Sequence, residues 1–380
     1  MLVSMATQIT TTREERGEAI AKLEGQIKRI DEDFYLVKSQ SGNGEYAVTK
    51  VDGEWLCQCP DNQYRKVKCK HIHAILFSKS IRAEVAVSRI IPELNIHSCQ
   101  YCGSESIVKD SVRHNKSGDI QRYLCKKCGK RFSINLGFEK MKATPHTITS
   151  AMQLYFTGES YRNVQKFLKL QGVTVDHSTI LRWVKKYVRL MENYLEKIKP
   201  NVSDTWRADE LFVKVKGDMK YLFAMIDDET RYWIAQEVAD TKQTHNAQKL
   251  FQMAQKVAGK KPRTFITDGL QVYHDAYLRE WLSIEDGWSE HVHKIMFEGR
   301  DNHNNNKMER FNGEVRDREK VMRGLKTKET PILLGYQIFH NFMRPHEALD
   351  GKTPSEACGI QVEGKNKWIT LIQNAKQNSE

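Results

Sequence analysis

The chain has 380 residues, 39% of them hydrophobic, and a formal charge of +12. This length predicts two to four domains, and the positive charge favours a polyanionic partner. No run of about 18 apolar residues predicts a membrane span, and the N-terminal segment lacks the apolar stretch of a signal peptide. We therefore exclude membrane proteins and expect a cytoplasmic protein, associated with the nucleoid if the source is prokaryotic.

The N-terminal region combines a predicted helix, residues 13–30, with two short strand-like runs and a cluster of possible metal ligands. The ligand spacing is C-x-C-x9-C-x-H, formed by Cys57, Cys59, Cys69 and His71. Three thiolates and one imidazole can complete a tetrahedral structural zinc site, although His73 could compete with His71. The pattern over residues 34–80 resembles the SWIM-type zinc finger. We expect a SWIM-like zinc-binding lobe over residues 1–81.

A second cysteine cluster follows a predicted linker, residues 82–97. Two C-x2-C pairs lie 22 residues apart and consist of Cys99, Cys102, Cys125 and Cys128. Gly103 and Gly129 each follow the second cysteine of a pair, where a tight turn around a metal is needed. We expect a zinc ribbon over residues 98–135, with the lysines and arginine around its second pair contacting phosphate.

Three short helical patterns follow the ribbon, at residues 147–157, 160–170 and 177–196. Residues 101–200 contain 19 Lys and Arg but only 8 Asp and Glu, so this part of the chain carries most of the net positive charge. We predict a helix-turn-helix domain over residues 144–198; a generic three-helix packing unit is the alternative. One face of the last helix would enter the major groove of DNA with Thr179, Arg182, Lys186 and Arg189.

From residue 204 the pattern changes to three successive strands, then helix, strand, helix, strand and closing helices. This order predicts a mixed sheet with helices on its faces, in a multidomain protein of the α+β or α/β class. We expect this sheet domain to cover residues 203–360. Residues 361–380 are predicted to form a C-terminal tail.

Three acidic residues fall at positions where such a fold can bring them together: Asp209, Asp268 and Glu309. The first two lie on or after predicted strands and the third lies early in a predicted helix. Three carboxylates can hold two divalent metals against a phosphodiester, and all-oxygen ligands favour Mg²⁺ or Mn²⁺. Asp227, Asp228 and Glu229 are rivals that we interpret as solvated residues of a turn.

The helix that carries Glu309 has a predicted buried stripe of Met308, Phe311 and Val315. Arg316 and Lys320 follow Glu309 by seven and eleven residues and share its face, so we expect them to contact the DNA backbone. His293 falls on the last predicted core strand, where we interpret it as an ordinary core or surface histidine, with a DNA contact as the alternative.

Residues 99–360 resemble an insertion-sequence transposase of the DDE kind, with an integrase-type, RNase H-like catalytic core. The resemblance lies in residues 206–238, 265–273, 304–330 and 339–357. It implies that Asp209, Asp268 and Glu309 are the catalytic triad. It also implies that the closing N-F-x-R-P-H segment, with Asn341, Arg344, Pro345 and His346, ends a helix and supports the DNA end.

The resemblance implies metal-dependent cleavage and strand transfer at insertion-sequence ends. Double-stranded DNA would be the partner, both as transposon ends and as target, and a homodimer or higher assembly would join two ends. A nuclease or resolvase without joining activity, or a DNA-binding regulator derived from a transposase, are the alternatives. The chain departs from the family in the 40 residues between Asp268 and Glu309 and in its SWIM-like lobe.

Overall fold

The structure, a computed structural model, describes residues 12–378 except 24, 31–32, 41, 43, 52, 86–88, 95–97, 100, 116–117, 134–135, 283–288, 294–304, 322–324, 326 and 328–329. The chain divides into two compact units: residues 1–87 with 294–304, and residues 88–293 with 305–380. Among the described residues, no helix is both long and apolar enough to cross a membrane.

The first unit is a small sheet flanked by helices. Its elements are α1 (Arg13–Lys22), β1 (Ile27–Arg29), β2 (Phe34–Lys38), β3 (Glu45–Val51), β4 (Glu54–Cys57), α2 (Pro60–Arg65) and α3 (Lys70–Val85). The four strands form an antiparallel sheet in the order β1-β2-β3-β4. The helix predicted for residues 13–30 ends early at Lys22, because Gly25 takes a left-handed φ of 72° and the chain turns into β1.

The second unit begins with β5 (Arg89–Ile91) and a three-stranded antiparallel ribbon of β6 (Ile107–Asn115), β7 (Gly118–Cys125) and β8 (Arg131–Ser133). Three helices follow: α4 (Pro145–Thr157), α5 (Tyr161–Leu170) and α6 (His177–Leu195). Each helix begins at a residue whose side chain accepts a backbone N–H of the first turn, namely Thr144, Ser160 and Asp176. These caps explain why the helices start where they do.

The remaining elements build the central sheet and the layers around it. They are β9 (Thr205–Val215), β10 (Asp218–Asp227), β11 (Trp233–Ala239), α7 (Thr244–Ala258), β12 (Thr264–Thr267), α8 (Gln271–Glu280), β13 (Glu290–His293), α9 (Asn306–Glu319), α10 (Pro331–Ile338), α11 (Pro354–Ala357), β14 (Ile360–Val362) and α12 (Lys367–Gln377).

The central sheet has the strand order β11-β10-β9-β12-β13. The first three strands form an antiparallel meander, whereas β12 runs parallel to both β9 and β13. Strand β9 is therefore central, with antiparallel and parallel neighbours. This mixed sheet, with α7 packed on β10 and β11 and with α9 packed on β9, confirms the prediction of a mixed sheet with helices on its faces.

One continuous hydrophobic core joins α4, α5 and α6 to the central sheet and to the C-terminal helices. Helix α6 packs against α10 and α12 as well as against α4 and α5. A Cβ atom on Gly335 of α10 would come within 2.4 Å of Phe156 and 2.7 Å of Val188. The close approach of α10 to α4 and α6 thus requires glycine at this position.

The predicted C-terminal tail is wrong. Residues 360–362 form β14, which pairs in parallel with β5, and α12 buries Trp368, Leu371 and Ile372 against α4 and α6. The segment therefore belongs to the core. The same pairing shows that the predicted linker at residues 82–97 contains a strand. Neither contact was predictable locally, because each partner lies more than 170 residues away along the chain.

Candidate active site and metal centres

The register of two parallel strands brings Asp209 and Asp268 together. Strand β9 carries Asp209 at its centre, and β12 ends at Thr267, immediately before Asp268. Ile266 of β12 is paired with Arg207 of β9. Asp268 and Asp209 lie two residues beyond this pair in their own segments of the chain, and their carboxylates are close together. Gly269 then takes a φ of 94°, which lets the chain turn sharply away from the sheet.

Three carboxylates cluster at this point: Asp209, Glu210 and Asp268 each offer an oxygen, and these oxygens all lie within 4.8 Å of one another. Asp209 is half-buried, whereas Asp268 is exposed and accepts a hydrogen bond from the backbone N–H of Leu270 at 3.1 Å. The arrangement offers only oxygen donors, which suits a hard divalent cation. Sequence reasoning missed Glu210, because strand alternation assigns neighbouring residues to opposite faces.

The pKa of Asp209 is raised to about 7, first by burial and then by the negative charges of Glu210 and Asp268. Hydrogen bonds from the Glu210 backbone N–H and the Asn312 side chain oppose this rise. The raised pKa means that Asp209 gains its charge near neutral pH. Because a metal ligand must be deprotonated, cation binding at this cluster is favoured as the pH rises through that value.

Glu309 lies in the first turn of α9, is exposed and is not part of the three-carboxylate cluster. Asn312, one turn later on the same helix face, donates from Nδ2 to Oδ2 of Asp209 at 2.7 Å. This hydrogen bond brings the helix face that carries Glu309 against β9. Met308, Phe311 and Val315 are buried, as the apolar stripe predicted.

The interpretation of Asp227 and Asp228 as solvated turn residues is wrong, because both are fully buried. Asp228 forms an ion pair with the buried guanidinium of Arg207 and accepts from Lys307 Nζ at 3.0 Å. Asp227 accepts four hydrogen bonds from Ser203 and Thr230. Long-range cations and local donors compensate these buried charges, so the turn holds β9 and α9 together. Glu229 is only partly buried.

The closing N-F-x-R-P-H segment also has a structural role. Asn341 is buried and pins the edge strand β11, accepting from the Trp233 N–H at 2.8 Å and donating to the Trp233 carbonyl at 3.0 Å. Arg344 donates two hydrogen bonds to the carboxylate of Glu314 on α9, at 2.5 and 2.9 Å. The burial of Asn341 excludes it as a direct contact to a DNA end in this conformation.

The first Cys/His cluster lies in the first unit, where the loop after β4 meets the start of α3. Ligand atoms of Cys57, Cys59, Cys69 and His71 all lie within 4.8 Å of one another, and all four residues are buried. The His71 Nδ1 atom lies 3.7 Å from the Cys57 sulfur and 3.9 Å from the Cys69 sulfur. Four ligands around one tetrahedral ion have similar spacings. His73 is not part of this cluster.

The second cluster joins two turns of the ribbon. The sulfurs of Cys99 and Cys128 lie 3.6 Å apart, as do those of Cys102 and Cys125. A tetrahedral ion with Zn–S bonds of about 2.3 Å requires sulfurs about 3.8 Å apart. Gly103 and Gly129 have left-handed φ values of 67° and 68°, which turn the backbone around each cysteine pair. The four sulfurs could therefore hold one metal.

The predicted DNA-contacting residues lie on two separate helices. On α6, Arg182, Lys186 and Arg189 are exposed and Thr179 is partly buried. Arg182 donates to the Thr179 hydroxyl at 3.0 Å, so the two side chains share one surface. Arg316 on α9 and Lys320, the residue that follows the end of α9, are exposed as well. No described contact links the α6 face to the carboxylate cluster.

Comparison with known proteins gives a family match over the part of the chain that forms the central sheet. Residues 203–346 match the profile of the DDE domain family of the IS240 type. The chain is 33% identical over 112 residues to a "Transposase for insertion sequence-like element IS431mec" of Staphylococcus aureus, covering 29% of this chain and 48% of that protein. It is 28% identical over 145 residues to an uncharacterized insertion element ISM1 protein of Methanobrevibacter smithii, covering 34% and 35%.

The chain thus spans about half the length, or less, of the curated relatives it matches. Among solved structures, the catalytic core domain of HTLV-2 integrase in complex with magnesium is similar with a TM-score of 0.31 and 15% identity. That match covers 42% of this chain and 98% of the integrase chain.

The buried ion pair of Asp228 yields a stability prediction. Replacing Asp228→Asn should lower the free energy of unfolding of the second unit by about 3–5 kcal/mol, because it leaves the buried Arg207 guanidinium without its counter-charge. Denaturant unfolding followed by tryptophan fluorescence measures this, since Trp206 and Trp233 are buried in the same sheet. Asp317→Asn, which removes an exposed pair with Lys320, should change stability by less than about 0.5 kcal/mol. Equal effects of the two changes would contradict the role given to Asp228.

Proposed function

We propose that this chain, whose residues 203–346 match the DDE domain family, is a DNA transposase that cleaves DNA at insertion-sequence ends and joins those ends to target DNA. The observation that carries the proposal is the clustering of the Asp209 and Asp268 carboxylates, on and directly after two paired parallel strands, with the Glu309 helix bonded to Asp209 through Asn312. The match to a staphylococcal transposase supports the same reaction class.

Asp209, Asp268 and Glu309 would hold Mg²⁺, or Mn²⁺ as a substitute, because their donors are all oxygen. Two bound cations of this kind stabilise the attacking and leaving oxygens of an in-line phosphodiester displacement. Asp209 is positioned by the sheet and by Asn312, Asp268 is exposed directly after β12, and Glu309 extends from an exposed helical turn. No Ser or Tyr nucleophile is needed, because water and then a DNA 3′ hydroxyl attack phosphorus directly.

Both cysteine clusters would bind structural zinc, one in the lobe of residues 1–81 and one in the ribbon of residues 98–135. Their thiolate-rich ligand sets and near-tetrahedral spacings support this assignment. Each small sheet has few buried apolar residues of its own, so a metal would contribute much of its stability. The first lobe would be a SWIM-like zinc-binding module.

The helices α4, α5 and α6 would dock on the ends of the element, with the exposed basic face of α6 in the major groove. Arg316 and Lys320 lie on the helix of Glu309, so they would contact the DNA backbone near the reacting phosphate. Joining two ends requires two active sites, which makes a homodimer or higher assembly on DNA the expected state.

The decisive test concerns the three acids. Asp209→Asn, Asp268→Asn and Glu309→Gln should each reduce cleavage and joining of inverted-repeat DNA by about a thousandfold or more, because each removes a charge that holds a cation against phosphate. Binding to DNA should remain within about twofold in a gel-shift assay, since neither fold nor basic surface changes.

The matched control is Asp275→Asn on α8, whose partner is the neighbouring Gln271; it should leave both activities intact. Strand joining that survives Glu309→Gln would show that another acid completes the site. Cleavage without any joining in the unmodified protein would favour a nuclease, and binding without cleavage would favour a regulator.

Metal analysis tests the zinc assignment. Protein purified without chelators should contain two zinc ions per chain, and Cys57→Ser and Cys125→Ser should each remove one, because a tetrahedral site rarely survives the loss of a thiolate. Cys358→Ser is the control: this cysteine is buried beside Thr230 and belongs to neither cluster. A zinc content that Cys125→Ser leaves unchanged would overturn the ribbon assignment.

DNA binding is best tested with the full chain, because a fragment ending near residue 200 would expose the face of α6 that packs on α10 and α12. Arg182→Ala should weaken the preference for terminal-repeat DNA by about 1–3 kcal/mol if the side chain contacts a base edge. Affinity should fall steeply with salt. Arg279→Ala, on the exposed surface of α8, is the control. An equal loss of preference for terminal-repeat DNA in both variants would show that the DNA does not bind to the basic face of α6.

A further inference from the structure

We propose that Glu210 is a further carboxylate ligand of the site formed by Asp209 and Asp268, so that the first divalent cation binds without Glu309. This inference rests on the proposed metal-dependent function and deepens it. Glu210 takes no part in the resemblance-based triad; the reasons to add it come from geometry, from an unsatisfied oxygen and from local charge.

The geometry brings Glu210 into the cluster and leaves Glu309 out. Carboxylate oxygens of Asp209, Glu210 and Asp268 all lie within 4.8 Å of one another. All three residues belong to, or directly follow, two hydrogen-bonded strands of the sheet. A site on paired strands is formed before any ligand arrives, whereas Glu309 extends from an exposed turn outside the cluster.

The two oxygens of Glu210 have different surroundings. The side chain is only 5% exposed, and Oε1 accepts a hydrogen bond from Lys242 Nζ at 2.6 Å. Oε2 is buried and has no donor within hydrogen-bonding distance among the described residues, although the buried Tyr273 hydroxyl also interacts with this carboxylate. A buried carboxylate oxygen without a donor is costly, and a bound cation would satisfy it. Lys242 thus occupies one oxygen and leaves the other for a metal.

The local charge also favours a divalent cation at this cluster. Asp209, Glu210 and Asp268 together bring three negative charges when ionised, and Lys242 supplies one positive charge. The remaining charge of two matches one divalent cation. The carboxylate of Glu309 would then be needed chiefly for a second cation, once its helical turn and the DNA phosphate are in place.

The chain contains a matched comparison for this pair. Glu237 on β11 forms the same contact with Lys249, at 2.6 Å, and its side chain is 16% exposed. It lies in the same sheet but not in the carboxylate cluster. Glu237→Gln therefore removes a similar ion pair without touching the proposed metal site.

The experiment measures Mn²⁺ binding to the zinc-loaded full chain without DNA, by calorimetry and by the paramagnetic resonance signal of free Mn²⁺. We expect one site in the unmodified protein. Glu210→Gln should weaken it by about tenfold or more, whereas Glu309→Gln and Glu237→Gln should leave its affinity within about twofold. Asp209→Asn and Asp268→Asn should weaken it as Glu210→Gln does, and thermal melting checks that each variant folds.

The Lys242→Met variant distinguishes two roles for Glu210: a direct ligand of the cation, or a residue that only binds Lys242. If Glu210 binds the cation, Lys242→Met should keep or tighten Mn²⁺ binding; a loss equal to that of Glu210→Gln would overturn the proposal. Unchanged binding in Glu210→Gln, with loss in Asp209→Asn and Asp268→Asn, would also overturn it and leave the proposed function standing. Undiminished binding in all three variants would instead count against the proposed catalytic site itself.

Discussion

A buried ion network centred on Asp228 fixes the geometry on which the rest of the site depends. Asp228 contacts Arg207 of β9 and Lys307 of α9, and it is fully buried. Arg207 precedes Asp209 by two residues, and Lys307 precedes Glu309 by two residues. One carboxylate therefore sets both the strand and the helix that carry proposed catalytic acids. In a low-dielectric interior such a network is costly to break, so it holds these elements in one arrangement.

Helix α9 is attached at further points along its length. Asn312 bonds Asp209, Glu314 pairs with Arg344 after α10, and the guanidinium of Arg318 lies over the Tyr155 ring of α4, 4.2 Å from its centroid. Arg318 is 4% exposed, so this cation–π contact is desolvated and correspondingly strong. The helix that presents Glu309 is thus secured to the sheet, to the C-terminal segment and to the helical region at once.

This packing also connects the proposed DNA-binding helices with the proposed catalytic sheet. Helix α6 contributes its buried face to the same core as α10, α12 and the sheet, and the close contact at Gly335 leaves little room for movement between them. A DNA end bound on α6 would therefore be held at a fixed distance from the carboxylates. Rigid placement of this kind favours reaction, because the entropy of orientation is lost on binding and not in the chemical step.

The sequence by itself determined the elements whose signals are local. Cysteine spacing located both ligand clusters, strand runs located Asp209 and Asp268, and apolar periodicity located the helices and the buried stripe Met308, Phe311 and Val315. The order of strands and helices was enough to predict the mixed sheet, because chain connectivity allows few ways to arrange them.

Only the tertiary structure decided which charged residues are buried and which groups they contact. Asp228 appears in a turn with other acids, as a solvated residue would, yet Arg207 and Lys307 reach it from 21 and 79 positions away. Arg318 belongs to a run of charged residues but is buried on an aromatic ring, and Glu210 reaches the acid cluster although strand alternation assigns it to the other face. The C-terminal segment is buried because α4 and α6 offer it an apolar surface. Whether a charge or a chain end is buried depends on partners distant in sequence, and local pattern contains no information about them.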